Sequence, residues 1–143
     1  MAARRHNPDA GRLKKQLYLA MERAEKVLPG FCGLWGCCGA AVGCGIFASV
    51  WLNANPKQEQ YWDVLNAFTA RCLNKVASVG GPRCCKRVTY LALSEAVGRS
   101  PEMFGVDLGP VPAPVCSRSE RNDECRKENC PFFPSPKYAA TPA

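Results

Sequence analysis

A single histidine, His6, occurs in the whole chain, and it stands in a charged terminus expected to fray. A Cys-His nucleophile pair or a mixed cysteine-histidine zinc site would have to use that one residue, so both are disfavoured. Carboxylates are outnumbered, 12 Asp and Glu against 19 Lys and Arg, and nothing in their placement suggests a site for hard cations. The opening residues lack the apolar run followed by small residues that an export signal needs, so a cytoplasmic, reducing setting is expected. No segment alternates apolar and polar residues as a half-buried strand does, and there is no internal repeat or low-complexity tract. Gly43-Cys-Gly-Ile-Phe-Ala48 has neither the preceding strand nor the third glycine of a dinucleotide fingerprint.

What the chain does have is cysteine, ten in 143 residues. They fall in groups: Cys32, Cys37, Cys38 and Cys44; Cys84 and Cys85; Cys116, Cys125 and Cys130; with Cys72 alone. In a reducing setting such grouping reads as ligands or reactive thiols rather than bridges. The adjacent pairs Cys37-Cys38 and Cys84-Cys85 also resist closing on themselves. The net charge of +7 is concentrated in Arg4, Arg5, Arg12, Lys14, Lys15, Arg23 and Lys26, and again in Arg83, Lys86 and Arg87 around the central thiol pair. Such charge suits nucleic acid, an acidic partner or an anionic metal-thiolate centre, and the first cluster also reads as a solvated face.

The length and the 47% hydrophobic content suit one domain with a real core. Residues 1–10 are expected to be a flexible start, 11–98 a helical core, 99–134 an irregular ligand-bearing segment and 135–143 a flexible tail. Leu13, Leu17, Ala20, Met21, Ala24, Val27 and Leu28 recur at helical spacing, giving an amphipathic helix over 11–28 that Pro29-Gly30 ends. The uncharged stretch 31–52 is long enough for a membrane span, but its glycines and cysteines dilute it. A loop carrying Cys32 to Cys38 and then a buried helix from about Gly39 is expected instead. On that helix Gly39 and Gly43 share a face that admits a ligand or another backbone, and self-association through it is an option.

A third helix is expected over 57–78, with Tyr61, Leu65, Phe68, Cys72 and Val76 as its apolar stripe and Cys72 as a core thiol. A fourth begins near Pro82 and runs to about 97 or 98, with Cys84 and Cys85 in its first turn. Pro101, Pro110, Pro112 and Pro114 are expected to keep the following segment irregular. Trp35, Trp51 and Trp62 are read as core or interface residues rather than base-stacking platforms. The fold class is therefore all-α, a small helical domain with an irregular cysteine-rich C-terminal loop.

Cys116, Cys125 and Cys130 form the sharpest ligand motif, three thiols within fifteen residues, with Pro131 directly after the last. Their spacing is not that of ferredoxins or zinc fingers. Cys84 and Cys85 gain from helix-start amides and from Arg83, Lys86 and Arg87, which place positive charge where a ligating or nucleophilic sulfur needs it. Cys32, Cys37 and Cys38 lie among glycines whose amides can approach inorganic sulfide or a bound anion. Cys44 reads equally as a small core residue.

The residues Phe31-Cys-Gly-Leu-Trp-Gly-Cys-Cys-Gly-Ala-Ala, Gly80-Gly-Pro-Arg-Cys-Cys-Lys-Arg87 and Cys130-Pro-Phe-Phe-Pro134 resemble an uncharacterised cysteine-rich domain family of anaerobic bacteria and archaea. Its members are sometimes joined to S-adenosylmethionine-dependent methyltransferase domains. The resemblance spans residues 31–134 and implies the thiol set Cys32, Cys38, Cys84, Cys85, Cys116, Cys125 and Cys130, leaving Cys37, Cys44 and Cys72 outside it. It supplies no activity.

All-sulfur ligation suits an iron-sulfur cluster or zinc, and the surplus of thiols favours a cluster, of the 4Fe-4S kind, over a four-cysteine zinc knot. The expected function is an iron-sulfur protein with an accessory, sulfur-handling or electron-transfer role in anaerobic metabolism. A zinc-stapled module docking on a methyltransferase or other enzyme is the alternative, and a basic nucleic-acid-associated protein the second. Neither a membrane nor nucleic acid is the expected partner, and whether the chain is an enzyme stays open.

Overall fold

In the computed structural model, which describes residues 9–111 and 114–134, the carboxylate of Asp9 accepts hydrogen bonds from the amides of Gly11 at 2.8 Å and Arg12 at 3.2 Å. This cap satisfies donors that a helix start leaves free and begins α1, Ala10–Ala24. His6, Arg4, Arg5, Pro112 and the tail 135–143 lie outside the described residues, whereas residues 9 and 10 belong to the helix start. α1 stops at Ala24, short of the expected 28, because the chain tightens there: Lys26 and Val27 donate to the carbonyls three residues back.

Four further α-helices follow: α2 (Phe31–Leu34), α3 (Gly39–Trp51), α4 (Trp62–Ala77) and α5 (Cys85–Phe104). α4 starts later than expected. Asn55 accepts from the Lys57 amide in a turn after Pro56, and residues Glu59–Tyr61 form a tighter 3-10 turn first. α5 runs further than expected. Pro101 sits inside its last turns, where the carbonyl that loses its helical donor, that of Val97, accepts from the Ser100 hydroxyl at 3.2 Å instead. Gly105, at φ 70°, then ends the helix.

α3, α4 and α5 pack on one another, and α1 leans on α3. Small residues line much of the seam: Ala41, Cys44 and Ala48 of α3 meet Phe68 and Cys72 of α4 and Ala92 and Ala96 of α5. Small side chains let the axes approach closely, and the tightest point is Gly45, where a Cβ would lie 2.3 Å from Thr69 Oγ1. Phe104 closes one end, edge-on to Phe68 at 5.0 Å. Cys72 is thus a core thiol, as its place in the stripe implied, and Cys44 is one too.

α1 is the amphipathic helix expected, but its apolar stripe is only partly covered: no residue is fully buried, and Leu17 and Met21 stay more than half exposed. Trp35 and Trp62 are 68% and 62% exposed, so neither is a core residue. Among the described residues after α5 the only helical segments are the 3-10 turns Ser119–Arg121 and Lys127–Asn129, and there is no strand. No helix among them is long and apolar enough to cross a membrane.

Candidate thiolate metal centre

α5 begins at its thiols. Cys84 is the N-cap, in extended conformation, and Cys85 is the first helical residue; no side chain caps this end, so the first-turn amides present the positive end of the helix dipole. Arg87, in the same turn, is only 3% exposed. Its Nη2 donates to the carbonyl of Gly80 at 3.0 Å and to that of Pro82, which ties the turn before the helix to the helix itself and fixes the approach to Cys84. No carboxylate pairs with this guanidinium among the described residues, and its buried Nε has no hydrogen-bond partner. A buried charge without a counter-charge is costly, so an orphaned N–H here marks a place suited to an anionic group.

The C-terminal segment is folded back onto this helix start. The Cys116 amide donates to the Phe132 carbonyl at 2.7 Å, closing the loop, and the Phe132 ring meets Tyr90 of α5. Arg126 donates to the Val79 carbonyl, just past the end of α4. Within the loop, sulfur atoms receive backbone donors: the Arg118 amide points at Cys116 Sγ and the Lys127 amide at Cys125 Sγ, each at 3.4 Å. Lys127 adopts φ 49° to make this turn. Each amide fixes the orientation of the sulfur it meets.

The result is a cavity of about 500 Å³ lined by Cys84, Cys85, Cys116, Cys125 and Cys130. Arg83, Lys86, Arg87, Arg118 and Arg121 surround them, against one carboxylate, Glu124. Among the described residues no three Cys, His, Asp or Glu side chains stand close enough to form a shell around a single ion, so the five thiols share a cavity rather than a closed coordination sphere. The donor set is all sulfur and its surroundings are cationic, which suits a soft, anionic metal-thiolate group.

Cys32 and Cys38 lie in a neighbouring cavity of about 760 Å³, which meets the first at Arg83, Cys85 and Arg87. Gly39 lines this second cavity. Gly43, one turn along the same face of α3, lines instead an apolar groove beneath α1 that no cysteine lines. Cys37, half-buried, lines neither thiol cavity. Cys44 and Cys72 are excluded by burial between α3 and α4, where hydrogen bonding to Cys44 and then desolvation hold the Cys72 thiol far above its usual range.

Arg118, Arg121, Tyr90 and Phe132 were not singled out from sequence. Two arginines interleaved with Cys116 and Cys125 were a readable signal for the first pair. The pairing of Tyr90 with Phe132 is tertiary and left none. Neither the curated proteins nor the solved structures contain a match to this chain. The chain belongs to the family of unknown function DUF5714, whose family model matches residues 1–133.

Proposed function

We propose that this chain is a metal-thiolate protein carrying an iron-sulfur cluster, of the 4Fe-4S kind, in an accessory, sulfur-handling or electron-transfer role. One observation carries the reading: five thiols from two distant stretches line a single cavity together with five cationic side chains, one of them a buried arginine with an orphaned N–H. A cluster bound there supplies one-electron chemistry or an open iron for a sulfur ligand.

The chain's own residues have definite parts in this reading. Cys116, Cys125 and Cys130 are the ligands offered by the loop, and Cys84 and Cys85 those offered by the helix start. The amides of Arg118 and Lys127 hold two of the sulfurs in orientation. Arg83, Lys86, Arg87, Arg118 and Arg121 offset the negative charge of the thiolates. Phe132 and Phe133 wall off part of the cavity from water. Cys32 and Cys38, set in the adjoining cavity, stand as reserve or exchange thiols.

Anaerobic purification is expected to give a brown protein with charge-transfer absorption, iron and acid-labile sulfide in equal amounts, and a paramagnetic resonance signal on reduction. A colourless protein with stoichiometric zinc would replace this reading with the zinc-stapled interaction module. The turns at Cys116 and Cys125, in which a backbone N–H meets sulfur, also suit zinc. A chelator would then unfold the domain.

A further inference from the structure

The second cavity differs from the first in what it presents. Two long helices begin at it, α3 through Cys38, Gly39 and Ala40, and α5 through Cys85, and neither start is capped by a side chain. Arg83 and Arg87, whose buried Nε has no hydrogen-bond partner, reach its wall, and no Asp or Glu lines it. Uncapped amides, two guanidinium groups and no carboxylate make one end strongly favourable for an oxyanion, which guanidinium recognises through paired N–H donors. Phe31, Leu73, Val76 and Val88 add an apolar part to the lining. Its volume of about 760 Å³ falls in the range of small-molecule sites.

We propose that this cavity binds a small molecule with an oxyanion head, phosphate or carboxylate, and an apolar body, and that Cys85, in the wall common to both cavities, is where the ligand meets the thiolate centre. The second clause rests on the function proposed above; the binding site itself does not. The head lies toward Arg87, Arg83 and the amides of Gly39 and Ala40. The body lies against Leu73, Val76 and Val88.

Calorimetric titration of the full chain with n-octyl phosphate, below its micelle concentration, tests this, with iron, zinc and sulfide measured on the same sample. Saturable one-to-one binding is expected, weakened about fivefold or more by Arg83→Gln and unchanged by Arg71→Gln, a charge-matched change on an exposed part of α4 outside both cavities. Inorganic phosphate and n-octanol are each expected to bind more weakly than octyl phosphate. Absence of saturable binding, equal weakening by both substitutions, or equal affinity for inorganic phosphate would overturn the assignment. Metal-free protein that binds octyl phosphate would remove the metal centre and leave the cavity standing; metal-loaded protein that ignores it would do the reverse.

Discussion

The ring of Phe132 meets that of Tyr90 at 5.5 Å between centroids and 71° between planes, while the Phe132 carbonyl accepts the Cys116 amide. One residue therefore both closes the C-terminal loop and fastens it to α5. Because the carbonyl survives substitution, Phe132→Ala removes the fastening alone. It is expected to cost about 1–2 kcal/mol in denaturant unfolding, since the ring is only half buried, and to lower the metal retained after gel filtration. Unchanged retention would show that the loop holds its position without the ring.

Serine in place of cysteine separates ligand thiols from packing thiols. Cys116→Ser, Cys125→Ser and Cys130→Ser are each expected to reduce bound metal sharply with helical content preserved. Cys72→Ser is expected to leave the metal-to-protein ratio intact and to cost about 1–3 kcal/mol, because it buries a hydroxyl among apolar neighbours. The opposite pattern would move the centre into the bundle.

Alkylation gives a second, independent sorting. Cys85 is exposed, whereas Cys72 is fully buried with its thiol held high by the hydrogen bond with Cys44 and by desolvation. In reduced, metal-free protein, iodoacetamide followed by peptide mass spectrometry is expected to find Cys85 modified first and Cys72 last. Early loss of Cys72 would mean that the bundle opens more readily than its packing implies.

Two glycines of α3 are expected to respond to the same substitution in opposite directions. Gly45→Ala drives a methyl group into Thr69, whose Oγ1 would have to give up its hydrogen bond to the Leu65 carbonyl to turn away, and is expected to cost about 1–3 kcal/mol. A Cβ at Gly43 meets nothing within 4 Å, so Gly43→Ala is expected to stabilise the helix by about 0.5–1 kcal/mol. Thermal melting of both variants checks the pair.

The spacing of Phe68, Cys72 and Val76 made α4 readable, because a 3.6-residue period states which face is covered before any partner is known. The same periodicity found α1, but an apolar stripe records a capacity for burial and not how much of it a neighbour covers. Pro101 misled for a related reason. A proline forbids one hydrogen bond, and only the local geometry says whether a hydroxyl such as that of Ser100 can supply a substitute. At the site, charge around Cys84 and Cys85 was legible as composition. That Arg87 turns inward to the Gly80 and Pro82 carbonyls while Lys86 stays exposed depends on how the preceding turn folds over the helix start, which no spacing in the chain expresses.

α1 touches the bundle through half-covered side chains and through the Arg23 guanidinium on the Ser49 hydroxyl. So shallow an anchorage gives it a low local opening energy, and its amides are expected to exchange with solvent long before those of α3, α4 and α5. The first helix can accordingly peel away and return in a partial unfolding that never disturbs the sulfur-bearing end of the molecule.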